Sequence, residues 1–320
     1  MTALDIESHH QLARDAATAI REVVLPHLGT RAARAAAGRA PGGDVTMHVD
    51  ELAEETLDSV LRAHGDVAYY SEDRGYVEIG RPRAIFVVDP IDGTRPAAAG
   101  LEAACVSIAV APPDRDAVLG DIVAGIVLEL RSGRLIEAVR DAGARDDGAA
   151  AKCVPMTGGL AELFWGASQR CRPAVPVAVV LQDLIDGSAM RGGYFDLGSA
   201  AFTMTRVVTG QLDAYVDPGA RMLVEHPQLD AEFRRVGEGA RGTNFPYDVA
   251  AASLIVEEAG GAVCGADGSS LAGVAAVGSG PGHELSVVAA CDANLSAELV
   301  RALDLGIARL GRWLSSGERV

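Results

Sequence analysis

The chain is short of several residues and patterns whose absence is informative. Basic side chains are few: 28 Lys and Arg face 44 Asp and Glu, a formal charge of −16, and Lys152 is the only lysine. So acidic a chain repels phosphate backbones and anionic lipid, which argues against nucleic-acid and membrane-surface partners and favours metal cations. The five cysteines, Cys105, Cys153, Cys171, Cys264 and Cys291, are odd in number and include no CxxC pair. That excludes a disulfide framework or a zinc site and reads as reduced thiols of a cytoplasmic protein. Apolar stretches such as 122–128 fall well short of the ~20 residues that cross a bilayer. The opening MTALDIESHHQLAR has no basic region followed by an apolar run, so no signal peptide is expected. No GxSxG is present and the histidines are scattered, which leaves serine-triad hydrolysis unsupported. The glycine-rich 278–282 lacks a strand–loop–helix frame and reads as a surface turn.

What is present is a globular composition, 49% apolar and 22% charged over 320 residues, enough for two packed parts. Leu12, Ala16, Ala19, Ile20 and Val23 mark an amphipathic helix over 6–28, and Leu52, Thr56, Val60 and Leu61 mark another over 50–64. The stretch 29–44 reads as a loop. Residues 84–88 read as a buried strand, 104–111 and 120–130 as further strands, and 131–134 as a hairpin turn. Helices are expected over 175–185, 197–209, 248–259 and 293–314, with a strand at 212–216. Strands mixed with helices in both halves point to a layered α/β architecture. The polar connection between Asp217 and Asp248 is long enough to suggest a lid or a disordered loop.

The strongest chemical signal is Asp89, Pro90, Ile91, Asp92, Gly93 and Thr94. A buried strand ends there and delivers two carboxylates; Pro90 fixes φ and Gly93 lets the backbone approach a ligand. Carboxylates at a strand end beside free N–H groups suit a hard cation bridging to a phosphate. Taken alone, the segment also admits the reading of an Asp-rich turn capping a helix. Glu72 alone reads as a solvated acid, and Asp248 alone as a helix N-cap.

Together these segments resemble the inositol monophosphatase family of magnesium-dependent, lithium-sensitive phosphatases. The resemblance spans most of the chain: Val45, Thr46 and Asp50; Ser71, Glu72 and Asp73; Asp89 to Thr94; Val106, Ser107 and Ile108; Gly198 to Ala201; Asp213, Ala214 and Tyr215; and Tyr247 through the EEAGG ending at Gly261. It implies an αβαβα sandwich of the inositol monophosphatase and fructose-1,6-bisphosphatase type. It also implies two or three Mg²⁺. Glu72, Asp89 and the Ile91 carbonyl would hold one; Asp89, Asp92 and Asp248 a second; a third, weaker ion leans on Glu72. Asp50 and Thr94 match the pair that orients the attacking water. The Gly93 and Thr94 amides match the phosphate cradle, and Gly198, Ser199 and Asp217 the contacts to the alcohol half. Arg95 stands where the family often has Thr, Tyr247 where it has Trp, and 218–246 exceeds the usual link. Arg95 and that link would both border the pocket.

The expectations are thus an N-terminal part, 1–148, with most metal ligands, and a C-terminal part, 149–320, with Asp248 and the alcohol-recognition surface. Segment 218–246 is a lid whose arginines reach substrate, a surface elaboration pairing with the acidic body, or a dimer contact. The expected activity is hydrolysis of a small phosphate monoester: an inositol phosphate, another sugar phosphate or a 3′-phosphonucleotide. A homodimer without nucleic-acid or membrane partners is expected by resemblance. Two rivals stand beside this reading. DPIDGT is also similar to the DxDGT loop of haloacid dehalogenase-type phosphatases, but that chemistry needs its aspartates two apart, and here they are three apart. The other rival keeps the fold and metal site as a non-hydrolytic binding or regulatory protein.

Overall fold

Apolar residues alternating along the strands, and one-sided along most of the helices, sort the chain into five layers. A computed structural model describes residues 3–316 apart from 42, 44 and 157. The first sheet is built from β3 (Val67–Ser71), β4 (Gly75–Ile79), β5 (Ile85–Asp92), β6 (Cys105–Ala111), β7 (Ala124–Glu129), β8 (Leu135–Val139), β9 (Gly143–Asp146) and β10 (Ala149–Ala151). Its spatial order is β10-β9-β8-β7-β6-β5-β3-β4, antiparallel except where β3 runs parallel to β5. The second sheet, in order β12-β11-β13-β15-β14, comprises β11 (Phe164–Ala167), β12 (Gly193–Phe195), β13 (Ala214–Asp217), β14 (Ala262–Gly265) and β15 (Val287–Ala290). A short hairpin of β1 (Ala36–Arg39) and β2 (Val45–Met47) stands apart, where the sequence reads as loop.

Alternation along β5 shows how the layers form. Phe86 and Val88 face one core with α1 (Ala3–Val24) and α2 (His48–His64), while Ile85 and Val87 face another. That second core is filled by α5 (Ala200–Val208) and α8 (Pro246–Glu258), which lie between the sheets and touch Tyr215, Val287 and Ala289 of the second. The far face of the second sheet packs Trp165, Val216 and Val288 against α4 (Ala174–Ser188) and α9 (Ala293–Ser316). The result is the α/β/α/β/α sandwich. α8 is buried almost all round, as a helix between two sheets must be. In α2 the buried row is Val49, Ala53, Leu57 and Leu61, one step from the expected face; Leu52, Thr56 and Val60 are only half-buried. Residues 149–151, placed by the sequence in the C-terminal part, complete the first sheet.

The largest difference concerns 218–246. It folds into α6 (Gly219–Glu225), a turn of 3-10 helix, and α7 (Asp230–Val236), with Met222, Leu223, Leu229 and Phe233 buried in the outer core. These four apolar side chains, diluted among charged neighbours, anchor it. No helix among the described residues is long and apolar enough to cross a membrane.

Candidate active site

In a regular strand, positions three apart point to opposite faces. The end of β5 breaks that rule. Asp89 pairs with Ser107 and Asp92 with Cys105, so β5 spends one residue more than β6 across the same interval. Such a bulge turns both aspartates the same way, and Pro90 sits in it at no cost in ladder hydrogen bonds. Gly93 follows with φ 90°, and a Cβ there would lie 2.6 Å from the Ala103 carbonyl oxygen. Only glycine fits both demands. Thr94 then opens a short helix, α3 (Thr94–Ala99), and its hydroxyl donates to the Ile91 carbonyl at 3.3 Å.

Three other elements complete the cluster. Carboxylate oxygens of Asp89, Asp92 and Asp248 lie within 4.8 Å of one another. Asp248 comes from the first turn of α8, where it accepts from the Phe245 amide at 2.5 Å. Asp50 is held the same way in α2, accepting from the Met47 amide at 2.7 Å. Glu72 enters from the β3–β4 turn and lines a pocket with Asp248, Arg170, Cys171, Thr243 and Tyr247. Burial first, then the charges of Glu72, Asp92, Asp248 and Asp50, push the Asp89 carboxyl well above the usual range. Asp92 is also pushed up by burial, against the pull of Ser199, Ala201 and Arg170. The Ser199 hydroxyl and the Ala201 amide each donate to Asp92 at 2.6 Å, and Ser199 caps α5.

This is a convergence of like charges whose donors are all hard oxygens. Its self-repulsion is what a divalent cation relieves, and the donor set fits Mg²⁺ rather than a thiophilic metal. Beneath it lies a carboxylate the sequence did not single out. Glu54 accepts from the Ser71 hydroxyl at 2.9 Å and the Asp73 amide at 3.2 Å, on either side of Glu72. Burial raises its pKa to about 7 despite those two donors.

Of the residues expected at the site, Asp50, Glu72, Asp89, Ile91, Asp92, Gly93, Thr94, Ser199 and Asp248 come together; Gly198 packs toward Pro96, and the Arg95 guanidinium reaches the Cys171 sulfur at 3.7 Å. Asp217 does not. It is fully buried and accepts from both terminal nitrogens of Arg172 at 2.7 Å, from Asn244 at 2.7 Å and from the Gly219 amide at 2.8 Å. Its oxygens are taken by the protein, so a direct substrate contact is replaced by a structural lock. Nothing local in the sequence marks its partner Arg172. The arginines of 218–246 also face inward or sideways. Arg221 pairs with Glu225 and Asp304, Arg234 with Asp230, Arg235 with Glu232, and Arg241 with Asp230 and Glu284. In this structure those guanidiniums are engaged by acidic neighbours.

With this geometry in view, comparison with known proteins is informative. The sequence matches the Inositol monophosphatase family over residues 5–303. It is 28% identical to the fructose-1,6-bisphosphatase/inositol-1-monophosphatase of Methanothermobacter thermautotrophicus, over 89% of this chain and 93% of that one. It is 28% identical to the Nus factor SuhB of Xylella fastidiosa, over 69% of each. Among solved structures, the Thermotoga maritima IMPase superposes with a TM-score of 0.68 at 19% identity, covering 96% of this chain and 99% of that one.

Proposed function

The chain belongs to the inositol monophosphatase family, and from that premise we propose that it hydrolyses a small phosphate monoester with Mg²⁺ as cofactor. The observation that carries the reading is the convergence of Asp89, Asp92 and Asp248, from two distant segments, on one oxygen-lined point.

Glu72, Asp89 and the Ile91 carbonyl are assigned to one ion, and Asp89, Asp92 and Asp248 to another, with Glu72 serving any third. When bound, the ions supply positive charge to the phosphate and make water a competent nucleophile at neutral pH. Every other task falls to the chain. Asp50, its second oxygen fixed by the Met47 amide, presents a carboxylate that accepts a proton from the attacking water, and the Thr94 hydroxyl orients that water. Gly93, by lacking a side chain, leaves its own and the Thr94 amide open to phosphate oxygens. Ser199 holds Asp92 in place, and Gly198 beside it leaves room for the alcohol half. Arg95 follows Thr94 directly and borders the pocket. A homodimer in the cytoplasm completes the reading, the dimer supported by family resemblance and the compartment by five cysteines without a disulfide pattern.

A second reading draws on one fact: similar proteins of Xylella fastidiosa and Pasteurella multocida carry the name Nus factor SuhB, so the fold also serves roles not named for hydrolysis. Phosphate release from a panel of sugar phosphates and nucleotides, with and without Mg²⁺, separates the two. Mg²⁺-dependent release that disappears in Asp89→Asn supports the phosphatase. No release from any ester establishes the non-hydrolytic reading.

A further inference from the structure

We propose that Glu54 is a positioning residue for the cation site: from α2 it fixes both flanks of Glu72, and so sets how tightly the site takes Mg²⁺. The inference rests on the reading of Glu72 as a cation ligand and names what holds it there.

Glu72 opens a short turn, 72–74, that β3 and β4 close through the Ser71–Gly75 pair. On one side of it Ser71, fully buried, donates its hydroxyl to Glu54 at 2.9 Å. On the other side the Asp73 amide donates to the second oxygen of the same carboxylate at 3.2 Å. Both oxygens of one buried side chain are thus spent on the residues that flank Glu72. Further holds act on the same turn. The Thr46 hydroxyl, from β2, donates to the Asp73 carboxylate. The Arg74 guanidinium lies 3.3 Å from Asp58, one turn beyond Glu54 on α2, and the Tyr69 hydroxyl donates to Asp58 at 2.7 Å. Glu72, between these anchors, lines a cavity with Asp248, and its charge acts on Asp89 more than that of any other carboxylate.

Two features tie this brace to the site rather than to packing alone. Asp50 and Glu54 stand one turn apart on the buried face of α2, so one rigid helix places two of the acids that meet Asp89 and its neighbours. Glu72, in contrast, sits on a turn leading to β4, the edge strand of the first sheet. The carboxylates of Asp89, Asp92 and Asp248 push Glu72 outward, and a short turn at a sheet edge yields to such a push. Glu54 opposes it by gripping a backbone amide and a hydroxyl, bonds strengthened by its carboxylate. A ligand already held in place loses little freedom when the cation arrives. Partners standing behind a metal ligand commonly tune its affinity by about 10–100-fold.

The test is calorimetric titration of the full chain with MgCl₂, which reads binding independently of turnover. Glu54→Ala should weaken Mg²⁺ binding by roughly tenfold or more, the scale of a lost partner behind a ligand. Glu54→Gln keeps the bulk and an acceptor oxygen, and should stay within roughly threefold of wild type, as one weakened neutral bond costs. Leu61→Ala, fully buried on the same helix two turns further on, is the control. It destabilises the fold without touching the turn, and should bind Mg²⁺ as wild type does. If Glu54→Ala does not fold, Ser71→Ala decides the matter by removing one of the two donors, with an expected loss of roughly threefold or more. Wild-type affinity in the deciding variant, or an equal loss in Leu61→Ala, overturns the proposal, as does a wild type that binds no Mg²⁺. Binding that follows the expected pattern without phosphate release from any ester supports the proposal and removes the phosphatase reading alone.

Discussion

The end of β5 and the end of β13 each bury charge at the carboxyl end of a strand, and they do opposite things with it. At β5, Asp89 and Asp92 meet Asp50, Glu72 and Asp248, and burial together with these like charges raises the proton affinity of Asp89. At β13, Asp217 is buried as deeply but is matched by Arg172 and satisfied by Asn244 and Gly219. The first arrangement is unfavourable until something positive arrives; the second is complete in itself. Burial alone therefore does not identify a functional carboxylate. The sign and number of its neighbours do.

The sharpest way to break the comparison is at its unmatched end. Asp89→Asn should lower Mg²⁺-dependent phosphate release by roughly 1,000-fold or more, the scale set by losing a principal stabiliser of transition-state charge. In EDTA the same variant should melt higher than wild type, because one member of a repelling cluster is gone. Wild-type turnover by a folded Asp89→Asn protein would remove the two-ion assignment. At the matched end the effect should fall on stability. Arg172→Met leaves Asp217 buried and unpaired and should cost about 3–5 kcal/mol in chemical denaturation, much of it recovered when Asp217→Leu is added. A higher melting point for Arg172→Met alone would show that the two ends do not differ as argued.

Glu54 lies between these extremes, buried and held by two donors, with the partly exposed Arg74 guanidinium 3.8 Å away, and its effect should be smaller. Burial lifts its folded pKa to about 7, above the ordinary 4.5 of a glutamate. The folded protein therefore keeps a proton that the unfolded chain releases once pH passes 4.5. Stability from this group is fully present below that pH and is lost as pH rises to about 7. The loss should be on the order of 3 kcal/mol above that range, measured in EDTA. Glu54→Gln should flatten this part of the stability–pH curve, and an unaltered slope between pH 4.5 and 7 would refute the assignment.

The unmatched cluster was far more legible in sequence than the matched pair, for a physical reason. Asp89 to Thr94 is one contiguous turn whose proline and glycine announce its backbone, and the α8 segment is equally local. The bulge that aligns Asp89 with Asp92 could not be read, because it depends on the register against β6. Arg172 and Asp217 are joined only by the fold, so Asp217 read as a substrate contact and Arg172 did not register at all. The layered architecture was legible from the mixture of strands and helices, whereas β3, β4 and the hairpin β1–β2, three to five residues each, are too short for periodicity to mark. The buried face of α2 was missed by one position because Glu54, a charged residue, occupies part of it.

The smallest effect is expected at Arg234 and Arg235 of 218–246, where the charges are matched but exposed. Arg234 and Arg235 pair with Asp230 and Glu232 on their own helix, with side chains 46% and 70% exposed. Exposed pairs of this kind contribute little, since solvent and salt screen them. Removing the whole segment would not test its role, because Met222, Leu229 and Phe233 would leave the outer core with it. Arg234→Gln/Arg235→Gln is the cleaner probe. It should shift KM for the substrates discussed above by less than roughly twofold, as screened surface charges do. A rise in KM for sugar phosphates but not for p-nitrophenyl phosphate would restore the lid and place this helix over the pocket during turnover.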